Sequence, residues 1–325
     1  MNQPNLFQLH LSSLQQSCIA LSDVSEKVLS DQALARRLHD LASRLPGPLP
    51  DEEKTQRQWS IEQALSLVSS ARASLDFLSK TEQFSDLGER IAGGLQTTLD
   101  TLEGLLGQRL RSEARHRIRG LYVIIDPLVT GGRKPQQIAQ EALEGGASIL
   151  QLRDKESDKG ESLGLARALK GMCDEKGALL IINDHADLAA TVEAHGVHVG
   201  QDDLPVASAR QVLSPEQIIG RSNHLLEEAL DSEGQGADYI AVGAMYPTDS
   251  KDQPIVGGLK LLREVKESVQ PPVVAIGGIS EERVGEVVQA GADAVCVIGA
   301  VGLASSPLEA SRRMVEAIRR AGGEG

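Results

Sequence analysis

Hydrophobic and polar positions follow a helical period in the first third of the chain. Apolar residues recur there at spacings of three and four, as in the stripe formed by Leu95, Leu99 and Leu102. The prolines of the segment LPGPLPDEE (45–53) end the first helical pattern, because proline cannot continue a helix. We therefore expect a small all-α bundle over residues 1–115. The predicted helices cover about residues 11–45, begin again near Ile61, and cover about residues 84–110.

From about residue 116 onward, short continuous apolar runs alternate with amphipathic helical stretches. Runs without polar alternation predict strands that are buried on both faces, which is typical of a parallel sheet. Eight runs favour a closed (β/α)8 TIM barrel over residues 116–325, with an open doubly wound sheet as the alternative. The runs are LYVII (121–125), SILQL (148–152), LLII (179–182), GVHVG (196–200), QIIG (217–220), DYIAVG (238–243), VVAIGG (273–278) and AVCVIG (294–299).

Composition and net charge argue against some classes of binding partner. The 41% hydrophobic and 24% charged residues are ordinary for a globular protein, and the net charge of −13 gives no support for nucleic-acid binding. No apolar stretch reaches the roughly 18 residues of a membrane span, so we expect no membrane partner. The first residues lack the pattern of a secretory signal. The three scattered cysteines, which form no paired motif, favour a reducing compartment and hence a cytoplasmic location.

Candidate chemistry lies at the carboxyl ends of the predicted strands, where barrels place their active sites. Arg153 and Lys155 are two residues apart after the second run, and Lys251 follows the sixth. A cationic cluster in a concave site suits a phosphate or pyrophosphate. The alternative is that Arg153 and Lys155 pair only with the neighbouring Asp154 and Glu156.

Two carboxylates follow neighbouring strands of the predicted barrel. Asp184 and Asp203 lie two or three residues beyond the third and fourth runs. Oxygen ligands beside a pyrophosphate suit Mg²⁺, which phosphate oxygens and water would complete. The alternative, given equal weight, is that Asp184 serves as a helix N-cap.

Glycines indicate a second anion site. Gly277 and Gly278 end the seventh run and Gly299 ends the eighth, the region where barrels frequently bind phosphate through backbone N–H groups. The alternative is that these glycines only form tight turns. Other polar residues at strand ends are Gln151, Asn183, Gln201, Asp202, Ser222, His224, Thr248 and Ser250.

Several other mechanisms lack their motifs. His195 and His198 are too isolated for a metal pair, so we interpret both as structural. The sequence has no P-loop, no well-placed dinucleotide-binding glycine motif and no nucleophile-elbow motif.

The phrases QLRDK (151–155), IINDHADLA (181–189) and GVHVGQDD (196–203), in this order, resemble the thiamine phosphate synthase family. The resemblance covers about residues 120–325. It implies condensation of a hydroxymethylpyrimidine pyrophosphate with a thiazole phosphate, giving thiamine phosphate and pyrophosphate. It further implies that Mg²⁺ assists the departure of pyrophosphate and that the pyrimidine leaves as a stabilised cation.

The resemblance also implies roles for individual residues. The implied catalytic residues are Arg153, Lys155, Ser222 and Lys251, and the implied Mg²⁺ ligands are Asp184 and Asp203. The implied contacts to the pyrimidine pyrophosphate are Gln151, Leu152, Arg153, Asp154, Lys155, Asn183, Ser222 and Lys251. The implied contacts to the thiazole phosphate are Thr248, Asp249, Ser250, Gly278, Ile298 and Gly299.

Three positions depart from the family pattern. Gly299 stands where the family usually has serine, and the loop usually written PTxTK is PTDSK here, with Asp249 beside an expected anion. The usual S-T-H phrase is S-N-H, preceded by Arg221. These changes bear on affinity, since none removes Arg153 or a predicted metal ligand.

Two alternatives to the transferase remain. One is an isomerase of the same superfamily that resembles thiazole tautomerase, and the other is a non-catalytic sensor that binds thiamine phosphate. For the helical half, which carries no recognisable chemistry, we expect an oligomerisation or regulatory role.

Overall fold

The computed structural model describes residues 5–47, 58–81, 84–247 and 256–324. The chain divides into two compact units, Met1–Leu110 and Arg111–Gly325. The division falls inside a long helix, a few residues before the boundary predicted from the sequence.

The first unit is helical and has an aliphatic core. Leucine side chains such as Leu14, Leu38 and Leu99 are fully buried in it. Asp31 and Ser60 cap the second and third helices by accepting hydrogen bonds from the first-turn N–H groups. The helices in which the described residues of this region lie are α1 (Leu6–Lys27), α2 (Gln32–Arg44), α3 (Ile61–Ser79) and α4 (Ser85–His116).

The single helix predicted over residues 11–45 is wrong, because the chain turns between α1 and α2. Ser30 has a positive φ of 58°, a conformation that a helix interior does not contain. Asp31 then accepts hydrogen bonds from the N–H groups of Ala33 and Leu34, at 3.0 and 2.9 Å. An N-cap aspartate begins a new helix, so Asp31 was a readable signal.

The second unit is the predicted barrel: in the described part of the chain, eight parallel strands close in sequence order, with β1 paired to β8. This closure excludes the open doubly wound sheet. The strands are β1 (Gly120–Ile125), β2 (Ile149–Leu152), β3 (Leu179–Asn183), β4 (Gly196–Val199), β5 (Ile218–Asn223), β6 (Tyr239–Val242), β7 (Val273–Ile276) and β8 (Ala294–Val297). The helices are α5 (Pro135–Glu144), α6 (Lys159–Lys176), α7 (Ala186–Thr191), α8 (Val206–Val212), α9 (Leu226–Gly234), α10 (Gly258–Ser268), α11 (Val284–Gln289), which follows a 3₁₀ turn (Glu281–Arg283), α12 (Gly299–Gly302) and α13 (Pro307–Arg320).

Alternation along each strand divides the side chains into two cores. Outward residues such as Leu150 and Leu152 pack between the barrel and its helices. Inward residues such as Tyr122, Ile181 and Tyr239 form a separate interior cluster. Polar groups that face the barrel interior are therefore surrounded by apolar walls.

A buried ion cluster lies near the amino ends of the strands. The carboxylate of Asp238, just before β6, accepts from Arg111 Nε at 3.0 Å and from Arg210 Nη2 at 2.5 Å. Arg111 also donates to the carbonyl of Pro215 at 2.8 Å. The last turns of α4 therefore belong to the barrel unit, because Arg111 neutralises a buried barrel carboxylate.

Candidate active site

A cavity of about 260 Å³ lies at the carboxyl ends of the strands. Inward-facing strand residues and the glycines that follow β7 and β8 form its wall, because parallel strands bring their carboxyl ends to one face. Nine candidate residues from the sequence line it, namely Gln151, Arg153, Asn183, Ser222, His224, Gly277, Gly278, Ile298 and Gly299.

Arg153 supplies positive charge to this cavity. Its Nη1 atom forms an ion pair with Asp126, which is only 5% exposed and directly follows β1. Asp126 also accepts from the N–H of Leu128 at 2.9 Å. This carboxylate holds the guanidinium in place, and the sequence analysis missed it, although its position at a strand end was a readable signal.

Lys155, Asp184 and Asp203 form a second charged group. Lys155 Nζ lies 3.2 Å from Asp184 Oδ2, and Asp203 accepts from the N–H of Gly200 at 2.7 Å. Burial raises the pKa of Asp184 above its usual value, and hydrogen bonding and repulsion with the carboxylate of Asp203 raise it further, whereas Lys155 lowers it. The two carboxylates therefore lie close together.

The structure argues against two of the alternatives left by the sequence, the N-cap role of Asp184 and the pairing of Arg153 and Lys155 with their sequence neighbours. The N-cap residue of α7 is His185, so Asp184 is not the cap. Asp184 has a positive φ of 62°, an uncommon conformation for aspartate. Arg153 and Lys155 are paired with Asp126 and Asp184 rather than with their sequence neighbours.

The carboxylates of Asp184 and Asp203 are suited to bind a magnesium ion for which they are the only protein ligands. Among the described residues, no group of three or more His, Cys, Asp or Glu side chains could hold a metal. Mg²⁺ needs fewer protein ligands than such a group, because it is commonly bound by one or two carboxylates together with substrate phosphates and water. The repulsion that raises the pKa of Asp184 is the interaction that a divalent cation would relieve.

The glycines after β7 and β8 differ in what they require. Gly278 has a φ of 63°, and a Cβ atom there would lie 2.7 Å from the carbonyl oxygen of Pro247, so a side chain is excluded. At Gly299 the nearest atom to an added Cβ is Leu303 Cδ1, at an ordinary contact distance of 3.5 Å. A serine would therefore fit at Gly299, and its absence removes a hydroxyl group without a steric reason.

Three described residues that were predicted to contact the pyrimidine pyrophosphate, Leu152, Asp154 and Lys155, are not among the residues that line the cavity, and neither are Asp184 and Asp203. Leu152 points outward into the core between strands and helices, because side chains alternate along β2. Asp154 accepts from the N–H of Ser157 at 3.0 Å and from the hydroxyl of Ser162 at 2.9 Å, and so shapes the turn after β2. The substrate contacts predicted for Leu152 and Asp154 stay predictions. Four other predicted residues, Thr248, Asp249, Ser250 and Lys251, lie outside the described residues.

A chain of hydrogen bonds crosses the cavity wall and includes residues that the sequence analysis missed. Gln151 Nε2 donates to the Tyr122 hydroxyl at 2.6 Å, which lies 3.2 Å from the Tyr239 hydroxyl. His198 lies 3.0 Å from Tyr239 through Nδ1 and 2.9 Å from Ser222 Oγ through Nε2. The period-2 alternation of β1, β4 and β6 could have assigned these side chains to the interior.

The two histidines have different surroundings. His195 Nδ1 accepts from the N–H of Leu180 at 2.9 Å, as the structural interpretation predicted. Burial, followed by the charges of Lys170 and Arg117, lowers the pKa of His195 to about 4. His198, in contrast, lines the cavity.

The fold and this site define a class of protein: a (β/α)8-barrel enzyme whose cavity suits a small phosphorylated ligand. The family model for thiamine monophosphate synthase matches residues 121–301. The chain belongs to this family, because the match covers more than half of its length.

Known proteins support the assignment. The chain is 47% identical over 204 residues to the thiamine-phosphate synthase of Shouchella clausii, covering 62% of this chain and 97% of that protein. It is 43% identical over 207 residues to that of Moorella thermoacetica, covering 63% and 98%. The solved thiamine phosphate pyrophosphorylase from Pyrococcus furiosus is 37% identical, with a TM-score of 0.60, covering 65% of this chain and all of that one.

No helix in the described ranges has both the length and the apolar character required to span a membrane.

Proposed function

We propose that this chain is a transferase of thiamine biosynthesis that condenses a hydroxymethylpyrimidine pyrophosphate with a thiazole phosphate, carboxylated or decarboxylated. The products are thiamine phosphate and pyrophosphate. The observation that carries the proposal is one cavity lined by Gln151, Arg153, Ser222 and Gly278, which lie in or directly after three strands, in a chain of this family.

Arg153 binds the pyrophosphate group of the first substrate. Asp126 uses one edge of the guanidinium, and the remaining N–H groups are available to phosphate oxygens. Lys155 adds a second positive charge beside Asp184. Charge that develops on the departing pyrophosphate is stabilised by these fixed cations, which need no reorganisation during the reaction.

Asp184 and Asp203 hold Mg²⁺ in this proposal. The ion supplies charge neutralisation for the leaving pyrophosphate when it is bound. Asn183, the residue before Asp184, lines the cavity and faces the same substrate. The backbone at Gly278 and Gly299 binds the phosphate of the thiazole substrate in this proposal.

Gln151 and Ser222 orient the pyrimidine ring in this site. Both line the cavity, and both are held by hydrogen bonds to neighbouring side chains. Holding the two substrates in one orientation converts their reaction into an effectively unimolecular step. Positioning and charge neutralisation therefore supply most of the expected rate.

We further propose a cytoplasmic location, which is supported by the three buried free thiols of Cys18, Cys173 and Cys296. All the residues that line the cavity belong to the barrel unit. We therefore propose an oligomerisation or regulatory role for the helical unit.

The test is a turnover assay of the purified full-length chain with both substrates and Mg²⁺, in which thiamine phosphate is detected as fluorescent thiochrome. We expect EDTA to abolish turnover and Asp184→Asn to reduce it at least about 100-fold, since it removes one of two metal ligands. The matched control is Asp187→Asn, three residues away, which weakens an exposed pair with Lys159, retains an amide oxygen for the N–H of Leu188 and should keep normal turnover.

Two results would contradict parts of this proposal. Full activity of Asp184→Asn would remove the metal assignment while leaving the transferase. A wild-type protein that binds either substrate tightly in calorimetry and forms no product would support the sensor alternative instead.

A further inference from the structure

The hydrogen-bonded side chains in the cavity wall form an unbroken sequence from Gln151 to Ser222. It runs through the Tyr122 and Tyr239 hydroxyl groups and the ring of His198. Each hydroxyl group carries one proton and so donates one hydrogen bond. Tyr122 and Tyr239 each bond to two members of this sequence, so a phenol that accepts from one of them directs its proton to the other.

The direction follows from the amide of Gln151. Its Nε2 donates to Tyr122, so the Tyr122 proton is available to donate to Tyr239, and the Tyr239 proton to donate to His198 Nδ1. A neutral His198 then carries its proton on Nε2 and donates to Ser222 Oγ. Gln151 is left with its Oε1 as an acceptor, and Ser222 is left with its proton as a donor.

Burial makes this order stable. Tyr122 and Tyr239 are 1% and 0% exposed, and burial raises the pKa of both phenols well above the usual value. A Cβ atom at Gly220 would lie 1.9 Å from Tyr239 Cζ, so this glycine provides the space for the ring. Both phenols therefore remain protonated and fixed.

We propose that Tyr122 and Tyr239 are positioning residues that fix Gln151 as an acceptor and Ser222 as a donor, and thereby select the pyrimidine substrate. This inference rests on the proposed function. A ring that carries an amino group meets the acceptor of Gln151, whereas an oxo group at the same place meets a second acceptor. If these hydrogen bonds ran in the opposite direction, the Gln151 amide would be rotated, and the site would favour the oxo group over the amino group.

The experiment compares kcat/KM for the aminopyrimidine pyrophosphate with kcat/KM for its 4-oxo analogue. In Tyr122→Phe and in Tyr239→Phe we expect the ratio to fall at least about tenfold, because one missing hydroxyl group releases the order of the whole chain. The double variant should lose no more than the larger single loss. The KM for the thiazole phosphate should stay unchanged.

Tyr246→Phe is the matched control, because its hydroxyl group donates to Glu286 at 2.5 Å and is not part of this chain. Its discrimination ratio should equal that of the wild type. Thermal melting of each variant separates loss of stability from loss of discrimination.

An unchanged ratio in both folded Tyr→Phe variants, or strictly multiplicative losses in the double variant, would overturn the inference. A wild type without turnover would instead refute the proposed function. The ratio of dissociation constants for the two pyrimidines, measured by calorimetry, would then decide the inference by the same criterion.

Discussion

The two units differ in how several of their buried polar side chains are hydrogen-bonded. In the helical unit, Ser25 and Thr98 donate to the carbonyl groups four residues earlier, at 2.8 and 2.6 Å. In the barrel unit, buried polar side chains bond between different elements: Gln151 bonds to Tyr122 on the neighbouring strand, and Arg111 on α4 bonds to Asp238 just before β6. Local bonds need only a helix, whereas bonds across strands need the closed barrel.

This difference affects how well the polar groups of each unit can act on a ligand. A hydroxyl group bonded within its own helix is satisfied and has a limited capacity to act on a ligand. A buried network across strands holds each group in one orientation, at the cost of removing polar atoms from water. In the barrel unit this cost arises at Asp126, Asp184 and Asp238, and the first two of these residues lie beside the candidate site.

The largest expected effect comes from removing a cation in the barrel unit, and it is compared with the removal of a cation in the helical unit. Arg153→Ala should reduce kcat/KM at least about 100-fold, because it removes a fixed positive charge from the cavity. Arg72→Ala, in the helical unit, removes only a surface ion pair with Asp100 and Glu103 and should stay within about twofold of the wild type. Steady-state kinetics measures both.

Arg153→Lys provides the finer control. It keeps the charge but loses the planar fork that binds Asp126 and an anion together, so we expect an intermediate loss. An Arg153→Ala protein with normal kinetics would show that the cavity charge is not used.

The second prediction concerns the boundary inside α4. A fragment of residues 111–325 should fold as a barrel, whereas a fragment of residues 116–325 should be less stable, by about 1–3 kcal/mol. The shorter fragment lacks Arg111 and leaves Asp238 with Arg210 as its remaining cationic partner.

Urea unfolding of the two fragments measures this difference. Arg111→Met in the longer fragment should reproduce most of the loss. Equal stability of the two fragments would show that Arg111 belongs energetically to neither core.

The smallest expected effect is a rise in the melting temperature of the Asp184→Asn variant. A carboxyl group with a raised pKa in the folded state stabilises the protein most when protonated, and this contribution is lost as pH rises through the folded pKa. Without metal, Asp184→Asn should therefore melt slightly higher than the wild type at pH 7, by about 2 °C. The difference should vanish below the usual pKa of aspartate, near 3.8.

Mg²⁺ should reverse this order, because an ion that binds only the folded wild type stabilises it by mass action. Asp100→Asn in the helical unit is the control, since its exposed carboxylate pairs with Arg72. It should show no rise and no dependence on Mg²⁺. A lower melting temperature of Asp184→Asn without metal would contradict the sign of the pKa shift.

Local pattern predicted the barrel closely. Each of the eight apolar runs overlaps a strand, and the bounds differ by at most a few residues, because buried parallel strands must be apolar on both faces. Helix bounds were less well predicted: the turn before Asp31 was missed because the hydrophobic period continues across it.

The candidate site was predicted in part. Arg153 and Ser222 were found because they lie at strand ends within a recognisable phrase. Asp126, Tyr122 and Tyr239 were missed because their importance comes from partners on other strands, at separations of 27 to 117 residues. His198 was assigned a structural role because its sequence neighbours suggest no partner.

The sequence by itself determined the two-unit organisation, the closed parallel barrel, the family and most of the polar residues of the cavity. These properties depend on local periodicity and on short motifs, which can be read along the chain. Only the tertiary structure decided which carboxylate pairs with Arg153, how Asp184 and Asp203 interact, and how the hydrogen bonds run from Gln151 to Ser222. The physical reason is that hydrogen bonds and ion pairs depend on distance and direction in space, and these are set when the eight strands close.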